Sequence, residues 1–149
     1  MRRDPASIES LLSSGRILLQ APDPVVLEEM VAAAERDIQA ADANKIGFSP
    51  WADAMLYEAC LRSVRVIVQA AGYRIDSGAG THVTAIDAAD ALTDRQHHTI
   101  FVRLHRMRRR RHDFMYQTTA DPTEQDLAQA RTDALFLIGL ARRSLERIG

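Results

Sequence analysis

The fold is decided by residues 101–116, which read FVRLHRMRRRRHDFMY. Around this stretch, apolar residues recur at the spacing of a helix that advances about 100° per residue. They are Ile100, Leu104, Met107, Phe114 and Met115. The same stretch carries the densest positive charge in the chain. It therefore predicts an amphipathic helix with one packed side and one basic side.

Arg111 is predicted to lie on the packed side of this helix, one turn after Met107 and one turn before Met115. A charge that faces a helix interface is costly unless it is paired. If the basic helix is only a structural element, Arg111 is expected to be paired with a carboxylate on another helix and to have no cleft nearby, and the candidate partners are Asp87, Asp90 and Glu58. Three further arginines are expected to point away from the packed side and to need no such explanation: Arg103, Arg106 and Arg110.

Composition limits the classes of protein to which the chain can belong. Its 149 residues suggest one domain. The formal net charge of -1 excludes a polycation, so any contact with nucleic acid has to come from the cluster at residues 103–112. Cys60 is the only cysteine, which excludes an intrachain disulfide and a cysteine-based zinc site, and its apolar surroundings predict a buried thiol.

The chain also lacks the sequence patterns of membrane and cofactor proteins. No apolar run approaches the roughly 20 residues of a transmembrane helix, and no apolar leader follows Met1. There is no glycine-rich phosphate loop and no HExxH or di-iron motif. His105 and His112 would lie about 10 Å apart by helical rise, which disfavours a shared metal ion. We expect a cytoplasmic protein with no membrane association, cofactor or metal.

Prolines, capping residues and glycines divide the chain into predicted helices. Residues 1–22 are expected to form an N-terminal arm with a short helix, and residues 23–149 a helical bundle. The signals that open the helices of the bundle are Asp23-Pro24, Ser49-Pro50, Thr81, Thr93-Asp94 and Thr123. Residues 73–80 are expected to form a loop, and no segment shows a convincing strand pattern. The chain is therefore predicted to be all-α, an antiparallel bundle of about five helices.

The basic helix offers residue types that can act on a phosphodiester. Four of them share one side at i, i+4, i+7 and i+11 spacing: His105, Arg109, His112 and Tyr116. Cleavage without metal needs a base for the 2′-hydroxyl proton, an acid for the leaving oxygen, and an arginine for the charge on phosphorus. The same groups would also hold a phosphate without cutting it. A solvated basic face is the remaining alternative.

Three segments occur in a suggestive order: Ala70-Ala71-Gly72-Tyr73-Arg74, then Ser77-Gly78-Ala79-Gly80-Thr81-His82 leading into Thr84-Ala85-Ile86, then residues 108–116. In this order they resemble the HEPN family (higher eukaryotes and prokaryotes nucleotide-binding). The resemblance covers roughly residues 24–147. It implies a bundle of four or five helices that is usually a homodimer. Many family members are metal-independent endoribonucleases that serve as toxins, in antiviral defence or in RNA processing.

The family motif is an arginine, often followed by a polar residue, with a histidine a short distance further on. Aligned on the arginine and its polar neighbour, Arg111 and His112 take these positions and Tyr116 takes the place of the catalytic histidine. Aligned on spacing, Arg106 and His112 satisfy the motif instead. Helical phase favours the first alignment, because Arg111 is expected on the packed side.

The resemblance implies a dimeric HEPN-like protein that binds RNA, nucleotide or a partner protein through residues 103–116. An unperturbed tyrosine has a pKa of about 10 and is a weak base at neutral pH, so Tyr116 does not imply catalysis. The residues expected to bind phosphate are Arg108, Arg109 and His105, and a protein partner would be a nucleotidyltransferase or an antitoxin. Two alternatives remain: a metal-independent endoribonuclease using Arg111 with His112 or Tyr116, and a structural bundle with a solvated basic face.

Overall fold

Helices account for most of the chain, and the expected all-α bundle is confirmed. The computed structural model describes residues 6–47, 49–78, 80–116 and 121–148, without the side chains of residues 113–116. In these ranges the helices are α1 Ile8–Ser13, α2 Pro24–Asn44, α3 Ser49–Ala70, α4 Thr81–Leu92, α5 His98–Tyr116 and α6 Glu124–Glu146. Two short strands, β1 Ile17–Leu19 and β2 Tyr73–Ile75, complete the described elements.

Two of the expected helix starts are confirmed by their capping bonds. The Asp23 carboxylate accepts hydrogen bonds from the N–H groups of Val25 and Val26, at the start of α2. Thr123 and Asp126 form a reciprocal capping box at the start of α6. These bonds satisfy backbone donors that have no acceptor within their own helix.

The expected start of α5 is wrong by one turn. Thr93 does not cap α5 but follows the end of α4, where its N–H bonds to the carbonyl groups of Ala89 and Ala91. Asp94 and Arg95 then adopt φ values of 53° and 59°, which no α-helix accommodates. The chain therefore turns before α5 begins at His98. Similarly, the N-cap of α4 is Gly80 rather than Thr81.

A two-stranded antiparallel sheet replaces the first part of the expected loop at residues 73–80. Ile17 is paired with Ile75, and Leu19 with Tyr73. Gly72 turns the chain from α3 into β2 with a φ of 96°, a conformation that glycine adopts without penalty. Three residues are too few to show a period-2 pattern, and the partner strand is far away in sequence.

Helix α3 lies at the centre of the bundle and packs against α2, α6, α4 and α5. Its core residues include Cys60 and Val64, both fully buried. Burial raises the pKa of the Cys60 thiol, which fits the expected buried residue rather than a nucleophile. Helix α1 packs on α4, and its Leu11 is buried in the core, so the N-terminal arm contacts the bundle. None of the described helices has the length and apolar character needed to cross a membrane.

Candidate nucleic-acid interface on helix α5

Helix α5 packs on α3 and α4 through a buried apolar stripe. Phe101, Leu104 and Met107 are its buried members in the described part of the helix. Charged residues flank this stripe on both sides, and several reach carboxylates on neighbouring helices. The stripe therefore fixes the rotation of α5 and determines where each arginine points.

The expectation that Arg103 and Arg110 point away from the packed side is wrong. Arg103 donates two hydrogen bonds to Asp133 on α6, at 2.8 and 2.9 Å, and Arg110 donates two to Asp53 on α3, at 2.8 and 2.7 Å. Both carboxylates are buried. The bonds raise the pKa of each guanidinium, because they favour its charged form. These two arginines anchor the helix through their pairs with buried carboxylates.

Histidines connect α5 to α4 in a similar way. His98 lies 2.6 Å from the buried Asp90, measured from Nδ1 to Oδ2. His105 lies 3.0 Å from Asp87, measured from Nε2 to Oδ1. His105, expected to bind phosphate, is therefore already bound to a carboxylate. An incoming phosphate would have to compete with Asp87 for this imidazole.

Arg111 faces α3, as its helical phase predicts. Its Nη2 lies 3.1 Å from Oε1 of Glu58, one of the three expected carboxylate partners. Its guanidinium carbon also lies 5.6 Å from the centre of the Tyr57 ring, within the range of a cation–π contact. The side chains of Arg111 and Glu58 remain about one-third exposed, at 35% and 34%. Arg111 is thus held in place while part of its side chain stays open to solvent.

Arg108 lies near the same part of α3 but lacks a comparable partner. Its Nε is buried and makes no hydrogen bond to any described residue. The charge of Arg108 acts on both Tyr57 and His82, as do the charges of Arg111 and Arg65. We call Arg65, Arg108 and Arg111 the arginine triad.

The charges of the triad act on a hydrogen-bonded pair, Tyr57 and His82, whose Oη and Nδ1 are 2.9 Å apart. Burial raises the pKa of Tyr57 in spite of the nearby arginines, so the phenol keeps its proton. Burial and then the triad lower the pKa of His82, so the imidazole is neutral at neutral pH. Glu58 is the one carboxylate among the described groups that acts on both residues of the pair. The site therefore carries an excess of positive charge.

The remaining predicted residues are less well placed. Arg106, Arg109 and His112 are exposed. The side chain of Tyr116, the expected fourth member of the polar stripe, lies outside the described residues. The structure thus brings Arg108 and Arg111 together at α3, but it does not place Arg109 with them.

Sequence reasoning missed Tyr57 and Arg65 as parts of a site. They lie eight residues apart on α3, a spacing that places them on the same side of a helix. This spacing can be read from the sequence, but it does not indicate which helix packs against that side of α3. His82 contributes a bond to Tyr57, a packing contact that also borders the triad.

No group of three histidine, cysteine, aspartate or glutamate side chains in the described ranges is arranged to hold a metal ion. Comparisons of the chain with protein-family models, with curated proteins and with solved structures found no match.

Proposed function

We propose that the chain is a HEPN-like protein that binds RNA phosphates at the arginine triad without cutting the RNA. The observation that carries this proposal is the buried Nε of Arg108, which has no acceptor among the described residues. A buried donor without a partner costs about 1–3 kcal/mol. Because this atom is buried, a phosphate oxygen supplies the missing acceptor only if the Arg108 side chain moves toward solvent.

The chemistry of the triad suits phosphate better than it suits a base. Guanidinium groups bind phosphate oxygens with paired hydrogen bonds, and Arg108 and Arg111 lie on the same helix three residues apart. The Tyr57 ring is buried beneath Arg111, so it offers no face on which a base could stack. Contacts to phosphates alone carry no sequence information. We therefore expect binding that depends on salt and tolerates any RNA sequence.

Binding is proposed over cleavage because Tyr116 takes the place of the catalytic histidine in the family resemblance, and an unperturbed tyrosine is a weak base at neutral pH. The pair of Arg111 with Glu58 does not separate the two alternatives, since the carboxylate offsets part of the guanidinium charge in either case. The structural alternative is supported by Arg103 and Arg110, whose partners are buried carboxylates, and by Arg111, which is paired with Glu58 as that alternative predicts. It does not account for Arg108, which has no carboxylate partner among the described residues.

The resemblance also implies a homodimer, which is part of this proposal. Pairing of two chains along α5 would bring two triads to one RNA and double the positive charge. Sedimentation velocity measures the mass of the protein in solution. A monomer at all concentrations would contradict the proposed homodimer. A nucleotidyltransferase or an antitoxin would be the protein partner of such a dimer.

Fluorescence anisotropy with a labelled single-stranded RNA, in EDTA, tests the proposal. We expect Arg108→Gln to weaken binding by about tenfold, which corresponds to about 1.4 kcal/mol. Arg106→Gln is the matched control, because it removes the same charge from an exposed position of the same helix. Thermal unfolding of both variants establishes that they are folded.

Equal affinities for the two variants would overturn the proposal, and so would an affinity that does not fall as salt rises. The RNA is recovered and run on a gel. Intact RNA supports binding alone. If the wild type produces RNA fragments and Arg111→Ala does not, the claim that the protein does not cut RNA is wrong, and the endoribonuclease alternative is supported.

A further inference from the structure

A basic pocket that includes Arg65 of the arginine triad lies between β2, α2, α3 and the start of α4. It has a volume of about 340 Å³. Its polar lining comes from Arg65, Gln69, Arg74, Gln20 and Thr81, and no carboxylate is among its lining residues. Neither arginine forms an ion pair with a described residue, unlike Arg103 and Arg110 on α5. The pocket is therefore a concave surface of uncompensated positive charge.

Met30 and Ile75 give the pocket an apolar part, and its polar groups are hydrogen-bond donors or can act as donors. Arg65 and Arg74 carry charged donors, and the side-chain amides of Gln20 and Gln69 add neutral ones. Thr81 begins α4, and the N-cap residue before it, Gly80, contributes no side-chain acceptor to the first turn. Such a set of donors, without a carboxylate to repel an anion, fits the oxygens of a phosphate group.

Arg65 connects this pocket to the triad. It lines the pocket, and its charge also acts on Tyr57 and His82. A chain of phosphates lying along the triad would thus meet the pocket at Arg65. The two surfaces can serve different parts of one ligand.

We propose that this pocket binds a phosphate monoester, the terminal phosphate of an RNA or of a nucleotide. This inference rests on the proposed function, because the pocket would hold the terminal phosphate of the same RNA that binds at the triad. A monoester carries about -1.5 to -2 charge at neutral pH, against the single charge of an internal diester. The charge of two arginines without carboxylates in the pocket lining matches the charge of a monoester better than that of an internal diester.

The test compares the affinities of three RNAs of one sequence, with a 5′-phosphate, a 3′-phosphate or hydroxyl groups at both ends. We expect one phosphorylated RNA to bind about tenfold more tightly than the hydroxyl RNA, and Arg74→Gln to abolish that difference. Arg143→Gln on α6 is the matched control, because it removes an exposed arginine far from the pocket in sequence and should keep the difference. Competition with AMP, with adenosine as its control, tests a free nucleotide as the source of the phosphate.

The possible outcomes separate this inference from the proposed function. Equal affinities for the three RNAs, together with no effect of AMP, would show that the pocket does not bind a phosphate monoester. The proposal that RNA binds at the triad would stand. An end preference that survives Arg74→Gln would also overturn it. If no RNA binds, the proposed function fails, and the pocket is then judged by whether AMP shifts the amide NMR signals of Gln20 and Gln69 in the wild type but not in Arg74→Gln.

Discussion

Arg110 donates two hydrogen bonds to the buried carboxylate of Asp53, from Nε at 2.8 Å and from Nη2 at 2.7 Å. Arg103 makes the same kind of pair with Asp133 seven residues earlier. Two turns of helix place both arginines on one side of α5, next to Met107. One side of the basic helix is therefore an ionic anchor to α3 and α6, and the neighbouring side faces the Tyr57–His82 pair.

Arg110→Ala is expected to destabilise the protein by about 3–5 kcal/mol, because it leaves the Asp53 carboxylate buried without its partner. The measurement is the free energy of unfolding from urea denaturation, followed by circular dichroism. Arg109→Ala is the matched control, since Arg109 is the exposed neighbour, and its effect should stay within about 0.5 kcal/mol. Similar small losses in both variants would mean that the pair does not anchor α5.

His82 is expected to titrate below the ordinary histidine pKa, because burial and then the charges of Arg65, Arg111 and Arg108 disfavour the imidazolium, although Glu58 opposes them. NMR titration of the histidine signals measures the pKa, and His82→Asn identifies its signal. A value above the ordinary one would contradict the arrangement of charges around His82.

The lowered pKa of His82 also has a consequence for stability. Its folded pKa lies below the unfolded value of about 6.5, so the unfolded chain binds the proton first as pH falls. The contribution of His82 to stability is complete above the unfolded pKa and is lost as pH falls toward the folded pKa. The free energy of unfolding should therefore fall more steeply in the wild type than in His82→Asn over this range. Parallel curves would show that His82 is not responsible.

Gly72→Ala is expected to destabilise the fold by about 1–2 kcal/mol, because a φ of 96° is unfavourable for any residue with a Cβ atom. The nearest atom to the added Cβ would be the carbonyl oxygen of Gln20 at 4.0 Å, so the cost comes from the backbone and not from a clash. Gly47→Ala is the control: its Cβ would meet nothing within 4 Å, and its φ is not positive. Chemical denaturation should show a loss for the first variant only, and equal effects would contradict the strain at Gly72.

The helices were predictable because their signals are local. Asp23 followed by proline, and the pair Thr123 and Asp126, mark helix starts through bonds that span only a few residues. The two strands were not predictable, since each has three residues and is paired with a strand more than fifty positions away. The start of α5 was misplaced because Thr93 and Asp94 are good capping residues in isolation. Their role was decided by the end of α4 and by the turn that follows it.

The candidate site was predictable only in part. The spacing of the apolar residues in α5 was sufficient to predict that Arg111 faces a neighbouring helix, where it contacts Glu58 and Tyr57. The same spacing led to the wrong prediction that Arg103 and Arg110 point away from the packed side. A long arginine side chain beside an apolar stripe can reach back to a buried carboxylate. No local pattern reveals that Asp53 and Asp133 lie within that reach.

The sequence by itself determined the helical class, most helix boundaries and the basic character of α5, because these depend on residues close together along the chain. Only the tertiary structure decided which arginines anchor α5 and which remain available. That division depends on carboxylates supplied by α3, α4 and α6, whose positions follow from packing of the whole core. The stretch at residues 101–116 thus contains an anchor at Arg103 and Arg110 and a candidate phosphate site at Arg108 and Arg111. Its composition alone does not separate the two.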